Sequence, residues 1–399
     1  MSQRNETPSP RTLIAALKAR GELRDRAIEA AFLAVPRHLF LPNVPLDEVY
    51  SDQSISVKRD ANGQTVSSSS QPTMMIIMLD QLKLAQGMNV LEIGGGTGYN
   101  AALMQHIVGD SGRVTTIELD KELVKHAQDA LQRAAMTHIN VVETDGVSGF
   151  PARASYDRII ATVGIWDVPR AWTQQLKTAG ILVAPLWIEA LQVSAAFTPQ
   201  RDGTLYSADN RPCGFVHLRG VAAGPATQIR VGSSPLMLSS DSLNLDGAAV
   251  NALLSEDATD AYLGAALDQG EYWYGFVPYL MLHTPADFTF AGYNVVDEGQ
   301  RPYGVSGSGF ALMARGSACF VPIAGAGALR CYGGADAFLA LQDALTAWEA
   351  AARPGINRLR LRLTPKTADD LKIAAPISAP NEGKRYVRRD HIVHAWMDR

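Results

Sequence analysis

The stretch Val90-Leu91-Glu92-Ile93-Gly94-Gly95-Gly96-Thr97-Gly98-Tyr99 decides the fold of this chain of 399 residues. It begins as a short apolar run, typical of a buried parallel strand, and ends in a glycine-rich turn that predicts the start of a helix. Alternate glycines allow a sharp turn and let a ligand approach the main chain closely. A dinucleotide-binding loop needs a third glycine at the sixth position, where this chain has Tyr99. The spacing acidic-x-Gly-x-Gly-x-Gly that starts at Glu92 instead indicates a loop that binds S-adenosylmethionine (SAM).

Two further strand ends carry residues that suit a nucleoside cofactor. The apolar run 113–118 ends in Glu118, where a carboxylate can accept hydrogen bonds from both ribose hydroxyls. The run 140–143 is followed by Asp145-Gly146, and an aspartate there can accept from the adenine amino group. The predicted SAM-binding residues are Glu92, Gly94, Gly95, Gly96, Thr97, Gly98, Glu118, Leu119, Asp145 and Gly146.

Composition narrows the class of protein. A hydrophobic content of 47% supports a large core, and the length allows two domains. The net charge of −4 gives no electrostatic footprint for nucleic acid or an anionic membrane. The three cysteines have no CxxC spacing, which favours a reducing compartment without disulfides or a zinc site. The polar N-terminus and the lack of a membrane-length apolar run predict a cytoplasmic protein. No metal site is expected, because His391 and His394 would point to opposite faces of a strand.

Alternating strands and helices follow from residue 88 to residue 186. This pattern predicts an α/β fold, a Rossmann-like doubly wound sheet with its ligand at the carboxyl ends of the strands. The predicted elements are strand 88–93, helix 99–108, strand 113–118, helix 120–135, strand 140–143, strand 156–162, helix 168–176 and strand 180–186, with an antiparallel pair at 191–198 and 206–218.

A turn-prone stretch at 220–225 marks the predicted boundary between two domains. Residues 1–220 form the methyltransferase domain, and residues 226–399 form a smaller α+β domain that we expect to recognise the substrate. Its predicted elements are one or two helices within 243–267, a buried segment at 273–283, a hairpin around Gly316, a helix at 335–352, and strands at 358–363 and 386–396.

Four consecutive serines, Ser67 to Ser70, stand just before Gln71-Pro72 and an apolar helix predicted at 73–84. A flexible linker is one interpretation of such a run. The alternative, which we favour, is a serine at the helix N-cap that holds hydroxyl and amide groups near the cofactor.

The first 220 residues resemble the protein-L-isoaspartate O-methyltransferases. The resemblance rests on Val35-Pro36-Arg37-His38 with Phe40 and Pro42, Tyr50 with Asp52, Gly63-Gln64-Thr65, Ser70-Gln71-Pro72, Leu91-Glu92-Ile93-Gly94 with Gly96 and Gly98-Tyr99, Asp145-Gly146, and Tyr156-Asp157-Arg158-Ile159-Ile160. It implies that Glu92, the glycines, Glu118, Asp145 and Gly146 bind SAM, that S-adenosylhomocysteine is the co-product, and that a serine before the proline lies at the active site.

Two departures from the family pattern affect the expected function. The family has one Ser-x-Pro after Gly-Gln-Thr and an apolar residue, whereas extra serines intervene here. Alignment from the left makes Ser67 the catalytic serine, and alignment from the right makes it Ser70. The serine run together with the extension at 226–399 is similar to the subgroup that methylates ribosomally made peptides, such as lanthipeptide- and graspetide-type precursors.

The expected acceptor is an aspartate or isoaspartate carboxylate in a peptide or protein. Its ordinary pKa is about 4, so it is ionised at neutral pH and needs placement and desolvation rather than a general base. The ester formed can close to a succinimide, either in repair or in peptide maturation. Nucleic-acid amino-methyltransferases tend to carry Asn/Asp-Pro-Pro-aromatic after the fourth strand, where this chain has residues 161–165, Ala-Thr-Val-Gly-Ile. A non-catalytic peptide-binding scaffold is the alternative from another class.

Overall fold

A computed structural model describes residues 7–61, 63–225, 228–240, 245–265, 267–297, 299–323, 327–367, 377–379 and 383–398. The chain forms two compact units. The first comprises Met1–Leu186, Ser194–Leu205 and Cys213–Ala223, and the second comprises Trp187–Val193, Tyr206–Pro212 and Gly224–Arg399. Residues 187–193 and 206–212, which the sequence analysis assigned to the first domain, therefore belong to the second unit.

The first unit alternates strands and helices. Its elements are α1 (Pro10–Ala19), α2 (Arg26–Ala34), α3 (Leu46–Val49), β1 (Ile55–Arg59), β2 (Thr65–Ser69), α4 (Pro72–Leu82), β3 (Asn89–Ile93), α5 (Tyr99–Val108), β4 (Arg113–Glu118), α6 (Lys121–Arg133), β5 (Asn140–Glu143), β6 (Tyr156–Ala161) and α7 (Arg170–Gln175), together with the greater part of β7 (Leu176–Ile188) and β8 (Leu191–Pro199).

Strands β7, β6, β3, β4 and β5 lie side by side in that order, and each neighbouring pair is parallel. The predicted doubly wound sheet is therefore confirmed. The chain leaves β3 toward β4 and β5 and later returns to build β6 and β7 on the other side. The loop after β3 thus lies at the switch point, where such sheets bind ligands.

Burial explains why β3 reads as a nearly continuous apolar run. Val90 and Leu91 are fully buried and Ile93 is almost so, because helices cover both faces of a parallel sheet. Asp25 is the N-cap of helix α2, and its Oδ1 accepts from the amides of Ala27 and Ile28 at 2.7 and 3.0 Å.

The prediction of one strand at 206–218 is wrong. Two short strands, β9 (Leu205–Ser207) and β10 (Asn210–Pro212), take part of this segment. Beyond them the main chain bonds to a loop instead: the amide of Gly164 donates to the carbonyl of Val216, and the amide of Leu218 donates to the carbonyl of Gly164, both at 2.8 Å. This detour has a functional consequence, because it brings residues 215–219 to the carboxyl end of β6.

The second unit is mainly antiparallel. Its further elements are β11 (Gln228–Arg230), β12 (Leu236–Ser239), α8 (Gly247–Leu254), β13 (Ala258–Tyr262), α9 (Gln269–Glu271), α10 (Val277–His283), β14 (Thr289–Val295), β15 (Ser308–Ala314), β16 (Ser317–Pro322), β17 (Ala328–Gly333), α11 (Asp336–Ala350), β18 (Leu359–Pro365), β19 (Ile377–Ala379), β20 (Gly383–Val387) and β21 (His391–Met397). Seven strands form one sheet in the order β11-β12-β14-β15-β16-β17-β13. Four other strands lie side by side in a different sheet, in the order β19-β20-β21-β18.

An α+β architecture is thus confirmed for this part of the chain, and the hairpin around Gly316 is present as β15 and β16. Two details differ from the prediction. Within 243–267, where only helices were expected, α8 is followed by strand β13, while residues 243, 244 and 266 lie outside the described residues. The single strand expected at 386–396 is broken into β20 and β21.

The prediction of a chain without disulfides is wrong. Cys319 and Cys331 stand directly opposite each other on the antiparallel strands β16 and β17, with their Cα atoms 4.2 Å apart, and are disulfide-bonded. That register brings together two cysteines whose spacing in the sequence carries no signal. The cytoplasmic location rested partly on free thiols and stays a prediction. Among the described residues, no helix is long and apolar enough to cross a bilayer.

Candidate active site

A cavity lies in the first unit, at the carboxyl ends of β3, β4 and β6. Its wall is formed by the glycine loop, by the serine-rich strand β2 and by residues 215–219. Most of the predicted site residues meet here, namely Ser67, Ser70, Glu92, Gly94, Gly95, Gly96, Thr97, Glu118, Leu119 and Gly146. Gly98 and Asp145 are not among the residues that line the cavity.

The glycine loop is held against β4 by its own amides. The amides of Gly94 and Gly95 donate to the carbonyl of Ile117 at 2.8 and 2.9 Å. A Cβ atom on Gly95 would lie 2.5 Å from Thr116 Oγ1, so packing excludes a side chain there. Gly96 has φ +51°, and its Cβ would point toward Ser67 Oγ at 3.7 Å, into the space between the loop and β2. Bare main chain at this point suits a cofactor that lies against the loop.

Glu92 is buried at the base of the loop. Its Oε1 accepts from Asn100 Nδ2 at 2.8 Å and its Oε2 accepts from Thr116 Oγ1 at 2.6 Å. Burial raises the pKa of this carboxyl to about 7, although both hydrogen bonds favour the ionised form. Glu92 therefore ties β3 to α5 and β4 and places an acid that titrates near neutral pH in the cavity wall.

Glu118 connects the end of β4 to the glycine loop. Its Oε2 accepts from the amide of Gly96 at 3.0 Å, and its Oε1 accepts from the amide of Asp120 at 3.1 Å. Each carboxylate oxygen has further lone pairs, so the same group can also accept from a ribose diol. Leu119 follows it as an exposed apolar residue in the wall. The acceptor oxygens of Glu118, the apolar side chain of Leu119 and the cavity therefore fit the adenosine part of SAM.

Asp145 makes contacts that the sequence analysis did not anticipate. Its Oδ1 accepts from the amide of Val147 at 2.9 Å, and its Oδ2 accepts from the amide of Val221 at 2.8 Å. The carboxylate therefore anchors the segment that follows residues 215–219. Any effect of Asp145 on the cofactor includes this anchoring.

Neither interpretation of the serine run matches its structure. Residues 65–69 form strand β2, which pairs antiparallel with β1, Ile55 opposite Ser69 and Lys58 opposite Ser67. The run is therefore not a linker. The N-cap of α4 is Gln71, without a side-chain capping bond, so the predicted serine cap is wrong. Asp52 supplies the acceptor instead. Its carboxylate accepts from the amide of Thr73 at 2.9 Å and from the hydroxyl of Thr73 at 2.7 Å.

Strand β2 and the residue that follows it bring all four serines into the cavity wall. Ser67 and Ser69 are buried, whereas Ser68 and Ser70 are half-buried, as the alternation of a strand requires. Within the described part of the chain, the hydroxyls of Ser67 and Ser70 have no hydrogen-bond partner, while Ser69 Oγ accepts from Arg37 at 3.2 Å. Ser67 and Ser70 can therefore offer hydroxyl groups to a ligand.

Arg37 is a site residue whose role sequence reasoning missed. Its guanidinium is fully buried, and its two Nη atoms donate to five main-chain carbonyls. These belong to Val49, Ser51, Gln53, Ser69 and Ser70, at 3.0 to 3.4 Å. The only available signal was its place in the Val-Pro-Arg-His motif of the resemblance. Through the carbonyls of Ser69 and Ser70, Arg37 fixes the position of the end of the serine strand.

Residues 215–219 were also missed, because the segment was predicted as an edge strand. His217 and Arg219 line the cavity. Burial lowers the pKa of His217, which favours the neutral imidazole. Arg219 Nη2 lies 3.9 Å from Asp120 Oδ2, and Lys58 Nζ on β1 contacts the same carboxylate at 2.7 Å. Asp120 thus links the start of α6 to residues 215–219 and to β1, the strand that pairs with β2.

Comparison with known proteins identifies relatives of this chain. The family model for protein-L-isoaspartate (D-aspartate) O-methyltransferase matches residues 9–222. A protein-L-isoaspartate O-methyltransferase of Methanococcoides burtonii is 42% identical over 174 residues, which are 44% of this chain and 82% of that protein. One of Pyrococcus horikoshii is 38% identical over 209 residues, 51% of this chain and 90% of that protein.

A solved structure with the same name extends the similarity beyond the first unit. It is 25% identical to this chain, has a TM-score of 0.52, and the alignment covers 88% of this chain and 96% of the other. Since the family model matches more than half of the chain and the cavity holds the expected carboxylates and glycine loop, the chain belongs to the protein-L-isoaspartate O-methyltransferases, which are SAM-dependent enzymes that act on isoaspartyl residues of proteins and peptides.

Proposed function

We propose that this enzyme methylates an aspartyl or L-isoaspartyl carboxylate of a ribosomally made peptide during its maturation, and that the ester then closes to a succinimide. The observation that carries the proposal is the serine run: three serines of strand β2 and Ser70, which follows the strand, all line the cavity. The family pattern needs one serine at this point. Several hydroxyl groups in the acceptor site suit the recognition of one particular peptide better than they suit the acceptance of every exposed isoaspartate.

Glu92, Glu118 and the glycine loop are proposed to hold the cofactor. When bound, SAM supplies an electrophilic methyl group on a positively charged sulfonium. The carboxylate of Glu118 gives the wall a negative potential that favours such a cation. The loop amides and Glu118 orient the nucleoside part, and Leu119 offers an apolar surface to the base.

Ser67 and Ser70 are proposed to orient the acceptor carboxylate by donating hydrogen bonds to its oxygens. A carboxylate of ordinary pKa is ionised at neutral pH, so no side chain has to remove a proton. The work of the site is to strip water from the carboxylate and to align it, which can lower a barrier by several kcal/mol. Arg37 keeps the serines in place and does not touch the acceptor.

Succinimide formation follows from the ester without another catalyst. The main-chain nitrogen of the residue after the aspartate attacks the ester carbonyl. A C–N bond forms, the bond to the methoxy group breaks, and the nitrogen's proton leaves with it as methanol. The second unit is proposed to select the peptide on which this happens.

Two other functions remain candidates. General repair of isoaspartyl proteins is supported by the solved methyltransferase structure whose alignment covers 88% of this chain, since an extension does not by itself exclude repair. A non-catalytic peptide-binding scaffold is disfavoured, because the carboxylates at the ends of β3 and β4 and the open glycine loop are all present.

The test compares two substrates with the full-length enzyme and SAM: a precursor peptide encoded beside its gene and a short generic isoaspartyl peptide. We expect the precursor to gain the mass of one methylene group and then to lose methanol, with a kcat/KM well above that of the generic peptide. Equal kcat/KM values for the two peptides would support general repair. SAM binding without methyl transfer to either peptide would support the scaffold.

A further inference from the structure

We propose that a groove beside helix α11 in the second unit binds a basic, helical segment of the peptide substrate. This inference rests on the proposed role of that unit in substrate selection. The groove is lined by α10, by the loop that follows α10 and by one side of α11, all of which belong to the second unit. We call it the α11 groove.

The α11 groove has an apolar wall. The half-buried Ala340 and Ala344 of α11 line it, and their small side chains leave room beside α10. The rings of Tyr279 and Phe288 line the opposite side. Leu339 also lines the groove, with 55% of its surface exposed. A partner that covers Leu339 and this wall removes apolar surface from water, which favours binding.

Two aspartates give the α11 groove a negative charge. Asp336 and Asp343 line it and are exposed, and an exposed carboxylate is ionised at neutral pH. Asp336 lies in the first turn of α11, where the helix dipole also favours a negative charge. Within the part of the chain that the structure describes, neither aspartate forms an ion pair or a side-chain hydrogen bond. Helices α10 and α11 contain no lysine or arginine, so the wall they form supplies no cation for these carboxylates.

His283 adds a hydrogen-bond acceptor to the same groove. Its Nδ1 lies 2.7 Å from the carbonyl oxygen of Tyr279, and because a carbonyl only accepts, Nδ1 carries the proton. The two rings are stacked with their centres 4.0 Å apart. The resulting loss of water lowers the pKa of His283 and favours the neutral imidazole, whose Nε2 accepts hydrogen bonds. The polar groups of the groove therefore suit a ligand that donates.

The spacing of the two carboxylates suits a helix with two basic residues. Asp343 follows Asp336 by seven residues, which is two helical turns or about 10 Å along the axis. Leu339 lies between them on the same side of α11. A ligand helix with lysines seven positions apart and leucines between them brings a cation to each aspartate while its leucines cover Leu339. An acidic segment or a nucleic acid is repelled by the same carboxylates.

The test measures, by fluorescence anisotropy, how a labelled sixteen-residue helical peptide binds to the full-length enzyme. The peptide carries two lysines seven positions apart and leucines between them. We expect the double variant Asp336→Asn/Asp343→Asn to weaken binding about five- to tenfold, as for the loss of two exposed charge contacts. The matched control Glu256→Gln/Asp257→Asn removes the same charge from two exposed residues outside the groove wall. It should change the affinity less than about twofold.

The variant Leu339→Gln tests the apolar contact, and glutamine is also a good helix former. It should weaken peptide binding about three- to tenfold, as for the loss of a partly buried leucine contact. High salt should reduce the effect of the double variant, because it screens exposed charges, and should leave the effect of Leu339→Gln in place.

A third measurement asks whether the bound segment belongs to the substrate. Joined to a short isoaspartyl peptide by a flexible linker, the helical segment should lower KM about tenfold in the wild type at constant kcat. The double variant should lose this gain, while its SAM affinity and its activity on the short peptide alone stay unchanged. A KM that the added segment does not lower overturns the assignment to the substrate.

The outcomes separate this inference from the proposed function. Wild-type affinity for the labelled peptide in both the double variant and Leu339→Gln overturns the α11 groove and leaves the proposed function standing. If these variants lose the peptide while the precursor and the generic peptide have equal kcat/KM, the proposed function fails and the groove stands. A wild-type dimer that the double variant dissociates, without binding of the labelled peptide, overturns the peptide in favour of a second copy of the chain.

Discussion

The Nη2 atom of Arg37 donates to the carbonyl oxygens of Ser69 and Ser70, at 3.3 and 3.0 Å. This relationship connects a motif near the N-terminus to the end of the serine strand. A fully buried guanidinium loses hydration, and burial accordingly lowers the pKa of Arg37. Its carbonyl contacts compensate for this loss and fix the position of the serines at the cavity.

Arg37→Lys should lower kcat about tenfold while the SAM affinity changes less than twofold. A lysine ammonium keeps the charge, but it cannot span carbonyls that a planar guanidinium reaches together. The measurements are steady-state methyl transfer and calorimetric SAM binding. Thermal melting of the same variant is the control for folding, and a kcat equal to that of the wild type would contradict the positioning role.

Glu118→Gln should weaken SAM binding roughly ten- to hundredfold, as expected for the loss of charged hydrogen bonds to the ribose hydroxyls. The amide oxygen can still accept from Gly96, so the loop should remain folded. Glu122→Gln is the matched control, because that carboxylate is mostly exposed and pairs with Lys58 outside the cavity wall. Calorimetry with equal dissociation constants for Glu118→Gln and wild type would exclude the ribose contact.

Ser70→Ala and Ser67→Ala should each lower kcat about ten- to hundredfold at unchanged SAM affinity, since each removes a hydrogen bond to a charged acceptor. We expect the larger effect at Ser70, whose carbonyl is held by Arg37 and whose position is close to the start of α4. Ser56→Ala on β1 is the control, because its hydroxyl bonds Thr65 away from the cavity wall. If all four serines can be replaced with full activity retained, the acceptor does not use them.

Glu92 should make folding stability depend on pH. Its pKa is raised from 4.5 to about 7 in the folded protein, so between these values the folded state holds a proton that the unfolded chain has released. The contribution of Glu92 to the free energy of unfolding is therefore fully present below pH 4.5 and is lost as pH rises through about 7. Across about pH 5 to 8, the melting temperature of Glu92→Gln should fall less than that of the wild type. Parallel curves for the two proteins would show that Glu92 titrates normally.

Cys331→Ser should lower the stability of the second unit by about 2–3 kcal/mol, the value expected for a disulfide that closes a loop of roughly a dozen residues. SAM affinity should not change, because the cavity is lined by residues of the first unit. Thermal melts with and without reductant provide the measurement. Reductant should lower the melting temperature of the wild type to that of Cys331→Ser and should have no further effect on the variant. A wild-type melting temperature that reductant does not change would contradict the disulfide bond.

Local patterns were enough to predict the methyltransferase core. Helix α5 and strands β4 and β5 lie at the predicted residues, 99–108, 113–118 and 140–143. The reason is physical: a buried strand, a glycine turn and an amphipathic helix each leave their signal within a dozen neighbouring residues. The same holds for Glu118, since a residue at the end of a parallel strand falls at the ligand edge whatever the rest of the chain does.

Other features depend on contacts between distant parts of the chain, and only the tertiary structure decided them. The serine run is a strand because β1 lies beside it, and Arg37 meets carbonyls up to 33 residues away. Asp145 is turned toward Val221, across 76 residues. Cys319 and Cys331 pair through the register of two strands. Sequence by itself therefore determined the fold of the first unit and the cofactor edge of its sheet. The arrangement of the acceptor side required the folded chain, because register and main-chain hydrogen bonds between distant segments leave no local pattern.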